Sequence, residues 1–136
     1  EIQYNGSAVG GISITTSATS FNTGSDYRLK QDITPITNAL TKIKTLNPVD
    51  FKWKNNTSKF VTGFIAHEVQ ETGHFDETVT GVKDGMRSKY DDPETQEEDY
   101  QTVDYSKFTP MVVAALKEIS DKVDALDTRL TSLENT

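Results

Sequence analysis

The chain has no cysteine, which excludes a disulfide framework and thiolate chemistry. It has one tryptophan, and hydrophobic residues make up 34% of its 136 positions. A core drawn from that stock is small, so oligomerisation is an early expectation. No apolar run approaches the length of a membrane span. The first residues lack the basic and apolar regions of a secretory signal. Cations are scarce, 14 Lys and Arg against 21 Asp and Glu, for a net charge of −7. That balance argues against partners such as a nucleic-acid backbone or an anionic membrane surface. Charge of either sign is nearly missing from residues 1–24, where Glu1 stands alone. The chain opens on Glu rather than Met, and it is expected to be a segment of a longer polypeptide.

What those first 24 residues do hold is Ser, Thr and Gly. Ile12 and Ile14 alternate with Ser13 and Thr15, the period of two of a strand. Gly10-Gly11 is expected to mark a turn. The segment reads either as a flexible linker or as an extended β structure completed by other chains.

Residues 34–47 are expected to form a helix. Thr34 would be its N-cap and Pro35 its first residue, with Ile36, Ala39, Leu40, Ile43 and Leu46 on one face. Pro48 disfavours helical geometry at Asn47 and ends it. Val49, Phe51 and Trp53 then alternate with Asp50, Lys52 and Lys54, a half-buried strand. Asn55-Asn56 reads as a turn, and Phe60–Ile65 as a second strand paired with the first. Ala66–Thr72 reads as a short helix. Across 73–104, Val79 and Val82 hint at a strand, Asp84-Gly85 is a hairpin signal, and "DDPETQEED" is almost wholly polar. A protruding hairpin or loop with a solvated tip is expected there. The acidic run lacks the Asp-x-Asp-x-Asp-Gly order of a calcium loop, so no metal site is expected.

The last thirty residues carry the clearest pattern. Val112, Leu116, Ile119, Val123, Leu126, Leu130 and Leu133 recur at alternating spacings of four and three. This is a heptad seam, with Leu116, Val123 and Leu130 at a, and Ile119, Leu126 and Leu133 at d. Lys122 with Asp127, and Arg129 with Glu134, fall at the g and e positions that pair between parallel chains. A helix over 106–134 in a parallel coiled coil is expected. The pattern alone leaves dimer and trimer open, and a surface helix packed on its own domain is the plainer alternative.

Between the uncharged arm and the charged remainder lies "GSDYRLK", Gly24 to Lys30. A serine needs a base to become a nucleophile, and a lysine serves if its ammonium is desolvated. Spacing alone does not bring Ser25 and Lys30 together. Five residues put them about 140° apart on a helix, and on opposite faces of a strand. A bend at Tyr27–Leu29, or pairing between chains, is required. Gly24 leaves its carbonyl open to attack by Ser25, an N→O acyl shift that gives an ester for water to cleave. Proximity makes such self-attack feasible without a substrate pocket.

"SDYRLKQDITPI", "LNPVDFKWK", "GFIAHEVQE" and "VDYSKFTPMVVAALKEI" occur in this order. Together they resemble the C-terminal intramolecular chaperone of bacteriophage tailspikes, tail fibres and neck appendages, the endosialidase-type autoproteolytic domain. The resemblance covers about residues 25–120. It implies an α+β fold, with a β-rich N-terminal arm (1–24) ending a β-helical fibre stem, and a chaperone domain (25–136) that bears the hairpin and the long helix. It implies a homotrimer with a triple β-helix upstream and a trimeric coiled coil whose seam is Leu116, Ile119, Val123, Leu126, Leu130 and Leu133. It also implies cleavage immediately before the motif serine, at Gly24–Ser25, with Ser25 and Lys30 as catalytic dyad. Asp26 and Arg28 match the motif as positioning residues. His67 stands where the family commonly has Gln. It could assist proton transfer if it lies near the seam, or be a satisfied structural histidine. Glu68 and Glu71 could neutralise a nearby cation or be plain surface charges. No cofactor is implied. The expected partners are two further copies and the upstream fibre segment, in a virion fibre precursor assembled in the infected host cytoplasm, with the chaperone part released after cleavage.

Three rival readings remain. One is a retained, non-enzymatic trimerisation and receptor-binding fibre tip, with 73–104 as the binding element. Another is the same autoprotease in a membrane-tethered transcription factor, which the uncharged arm and the lack of a basic region disfavour. A general serine hydrolase is poor, because no Gly-x-Ser-x-Gly elbow is present.

Overall fold

The computed structural model describes residues 2–4 and 7–135. Glu1, the arm's single charge, lies outside the described residues. The described residues are mixed α+β, with four small antiparallel sheets and one long C-terminal helix among them. Its contacts divide it into two compact units, Glu1–Pro35 and Ile36–Thr136.

The first unit is built on a three-stranded meander in the order β1 (Ile2–Tyr4), β2 (Ser7–Ile14), β3 (Thr19–Thr23). Gly10-Gly11 does not form the turn expected from sequence. Both lie within β2 and pair with Thr23 and Asn22 on β3. A Cβ on Gly10 would stand 2.4 Å from the Asn22 carbonyl oxygen. The glycine is there for close approach of the strands, a role that also breaks side-chain continuity in a strand. The turn comes later. Thr15 N–H donates to the Ala18 carbonyl at 2.8 Å, and Thr15 Oγ1 accepts from Ala18 N at 3.0 Å. Ile12 pairs with Phe21 across the sheet, and both rings and branches are exposed.

The second unit holds the core. Val69, Phe75, Val79 and Phe108 are buried together, with Ile43, Leu46, Phe64, Ala66, Val103 and Met111 packed around them. They come from several short elements, the connections between them and the start of the long helix, so the core is a convergence point. The strand Val49–Trp53 (β4) forms as its alternation dictates and pairs with β5 (Asn56–Gly63). The turn is at Lys54-Asn55, one residue earlier than expected, and β5 starts four residues before Phe60 and stops before Ile65. Gly63 is required here. A Cβ on it would meet Tyr105 Oη at 2.6 Å and Phe51 Cε1 at 3.1 Å. The vacancy lets Tyr105 Oη accept from Phe64 N–H at 3.1 Å, and it stacks the Phe64 and Tyr105 rings 5.9 Å apart.

The short helix α2 (Ala66–Glu71) follows and buries Val69. A 3₁₀ turn, Asp76–Thr78, leads into β6 (Val79–Thr80), which pairs with β9 (Thr102–Val103). Between them protrudes a second hairpin, β7 (Met86–Ser88) with β8 (Gln96–Glu98). Asp84-Gly85 is not its tip. Gly85 N–H bonds to the Val82 carbonyl at 3.0 Å, a turn that feeds β7. The residues joining β7 to β8 are 89–95, and a third of the acidic run is strand. Val82 lies outside any strand.

The helix expected over 34–47 is much shorter. α1 runs Ala39–Ile43, its N-cap is Asn38 in the left-handed region (φ 56°), and Thr34 and Pro35 stand outside it. Helix N-termini expose unpaired N–H groups, and here a distant side chain supplies the acceptor. Glu118 takes Ala39 N–H on Oε1 at 2.7 Å and Leu40 N–H on Oε2 at 2.9 Å. Glu118 belongs to α3 (Thr109–Glu134), which a 3₁₀ turn at Tyr105–Phe108 precedes. The start of α3 buries Ala115 and packs on α1. Further along, the heptad positions emerge into solvent.

Candidate active site

The seam at Gly24 lies wholly in the first unit. Asp26 is the organising residue. It caps a single 3₁₀ turn, Tyr27–Leu29, by accepting Arg28 N–H on Oδ1 at 2.9 Å. The same carboxylate grips the Arg28 guanidinium, Nε to Oδ1 at 2.9 Å and Nη2 to Oδ2 at 2.8 Å. This fork-on-fork contact holds the Asp26 carboxyl below the usual carboxylate range, first through the Arg28 side chain and then through its backbone N–H. Leu29 N–H donates to the Asp26 carbonyl and Lys30 N–H to the Tyr27 carbonyl, each at 3.1 Å.

This is the bend that the sequence requires at Tyr27–Leu29. It turns the chain so that Lys30 Nζ donates to Ser25 Oγ at 2.8 Å. A serine hydroxyl and a lysine amine in hydrogen-bond contact are the geometry of a nucleophile and its base. Both side chains are exposed in the single chain. Gly24 precedes the serine at the end of β3 and lines a shallow concavity of about 440 Å³ with Gly10, Gly11, Ile12, Ser13, Asn22 and Thr23. Gly24 is exposed to solvent.

Of the residues singled out from sequence, Gly24, Ser25, Asp26, Arg28 and Lys30 come together in one turn. His67 stands apart from them in sequence and in unit. It is on α2, half-buried, and lines a concavity of about 320 Å³ with Val82, Met86, Asp99 and Gln101. Glu68 accepts from Asn47 Nδ2 at 3.0 Å, and Glu71 lies 3.9 Å from Lys83 Nζ. The six heptad residues Leu116, Ile119, Val123, Leu126, Leu130 and Leu133 lie along α3, between 41% and 72% exposed. Sequence reasoning missed two features. Asp26 as the cap of the bend was legible in its residue type. Glu118 as the cap of α1 was not, since nothing local marks it.

Residues 25–80 match the model of the family Peptidase_S74, described as Chaperone of endosialidase. The match begins on Ser25 and takes in three of the four motifs; the fourth, from Val103 on, lies beyond it. Over those residues the chain is thus similar to an endosialidase-type intramolecular chaperone, in a family whose name is that of a serine peptidase. Comparison with curated proteins gave no match.

Proposed function

We propose that this chain assembles as a homotrimer, sets the register of a phage fibre that ends in the arm 1–24, and then detaches itself by cleaving Gly24–Ser25. The observation that carries the reading is the 2.8 Å contact of Lys30 Nζ with Ser25 Oγ at the first residue of the family match.

The reaction needs only the chain and water. The neutral Lys30 amine takes the Ser25 hydroxyl proton as Oγ attacks the Gly24 carbonyl carbon. The tetrahedral adduct collapses with loss of the Gly24 C–N bond, and Lys30 returns the proton to the departing Ser25 nitrogen. The product is an ester from Gly24 to Ser25 Oγ, with a free Ser25 amine. Water then adds to the ester carbonyl, releasing the Gly24 carboxylate and restoring the hydroxyl. Asp26 and Arg28 hold the turn and touch no reacting atom, so they are positioning residues.

A lysine acts as base near neutral pH only when its ammonium is desolvated. The exposure of Ser25 and Lys30 in one chain therefore ties competence to assembly. Packing of three chains would supply the burial that one chain lacks. Polar, alternating strands find their register poorly unaided, and pairing across chains must meet alignment costs before contacts repay them. A coiled coil formed first aligns the arms. Cleavage afterwards removes the template, which makes the stem resistant kinetically.

Hydroxylamine tests the ester. Added during cleavage, it should speed release and leave residues 1–24 ending in a Gly24 hydroxamate, read by mass. Cleavage at another bond, or unaltered acid at Gly24 throughout, would overturn the acyl-shift route.

A further inference from the structure

The two hairpins of the second unit carry opposite charge. The β4–β5 hairpin, residues 49–63, has Lys52, Lys54 and Lys59 against the single acid Asp50. Its aromatic groups are bare: Trp53 is 57% and Phe60 67% exposed. Lys52 Nζ lies 4.7 Å above the Phe60 ring, and Trp53 stands edge-on to Phe51 at 5.1 Å. Among the described residues none of these three lysines meets a carboxylate at ion-pair distance.

The region 82–100 that contains β7 and β8 carries seven acids and three bases. Two of the bases are already engaged. Arg87 lies 2.9 Å from Glu97 and 3.8 Å from Asp99, and Lys83 reaches Glu71 at 3.9 Å. Among the described residues Asp84, Asp91, Asp92, Glu94 and Glu98 have no cation partner. Tyr90 and Tyr100 are exposed beside them. Within the chain, no described hydrogen bond or ion pair joins the two hairpins.

We propose that the basic, aromatic β4–β5 hairpin of one protomer docks on the acidic β7–β8 hairpin of its neighbour. The occupant is a second copy of this chain, and the inference rests on the homotrimer proposed above. A chain that bears both a basic and an acidic patch, neither satisfied internally, is complementary to itself in a head-to-tail sense. Such a heterologous contact, repeated by a threefold rotation, closes into a ring with no patch left over. Aromatic side chains amid charge are the usual anchors of such a contact. The α3 seam alone would hold three helices together; the hairpin ring would also fix the order in which the heads follow one another. Being made at exposed positions, it weakens with salt.

The test uses the full chain as Ser25→Ala, assembled from equal parts of ¹⁴N and ¹⁵N protein. Sedimentation reads the oligomer, and a carbodiimide joins lysines to carboxylates at zero length. Mixed-isotope cross-links from Lys52, Lys54 or Lys59 to acids within 84–99 are expected. They should fall at least tenfold in the triple variant Lys52→Glu/Lys54→Glu/Lys59→Glu, and return when that variant is mixed with Asp91→Lys/Asp92→Lys/Glu94→Lys. A sedimenting trimer that yields only single-isotope links, or links elsewhere, overturns the docking and leaves the trimer standing. A monomer by sedimentation overturns both.

Discussion

Leu126 sits in the middle of the α3 seam and is 60% exposed in the single chain. Burying a whole leucine side chain is worth about 1.5–3 kcal/mol, so closing the exposed part gives about 1–2 kcal/mol per chain. In the proposed trimer three copies would meet in one layer. Leu126→Ala should therefore cost about 3–5 kcal/mol of assembly free energy, about a 10²- to 10⁴-fold drop in the trimer association constant. Alanine is the best helix former, so α3 itself should persist and circular dichroism should barely change. The assay is sedimentation equilibrium across a concentration series, in the Ser25→Ala background so that every chain keeps its arm. Asp121→Ala, at the outward f position, is the control and should leave assembly intact. Equal effects from Leu126→Ala and Asp121→Ala, or no effect from either, would refute the seam.

Three further predictions follow from the geometry. The Leu40 and Ala39 N–H groups hold the Glu118 carboxyl below its ordinary range. A depressed value contributes stability above the usual carboxylate pKa, and that stability is lost as pH falls through the lowered one. Amide exchange at Ala39 and Leu40 should speed on acidification, and Glu118→Gln should flatten that pH dependence. Gly63→Ala should drive Tyr105 off the Phe64 N–H and cost about 1–3 kcal/mol, read as a lowered unfolding midpoint; an unchanged midpoint would mean that Tyr105 moves aside freely. Asp26→Asn should loosen the Tyr27–Leu29 turn and slow cleavage about 10- to 100-fold, with unchanged sedimentation, since it acts on the dyad and not on the seam.

How much of this was written in the sequence depends on how local the cause is. The strand Val49–Trp53 was legible because alternation reports burial on one face directly. The long helix was legible because its heptads persist over four turns and more. The helix expected over 34–47 was misjudged because local caps were trusted, while the real acceptor, Glu118, lies 79 residues from Ala39. Gly10-Gly11 was misread for a related reason. A glycine pair marks either a turn or a close approach, and only the neighbouring strand decides. In the site, residue types pointed to a nucleophile and a base, and to the place where a bend was needed. The bend itself depends on Asp26 reaching over to Arg28, a short-range capping that was present in the letters but is settled by geometry.

The most direct test of self-cleavage is the intact mass of the purified chain over time under native conditions, for the wild type, Ser25→Ala and Lys30→Ala. The account predicts that the wild type divides into residues 1–24 and 25–136 while both variants stay whole with their sedimentation unchanged. A wild type that remains whole as an assembled trimer, or a Lys30→Ala chain that divides at the wild-type rate, would contradict it.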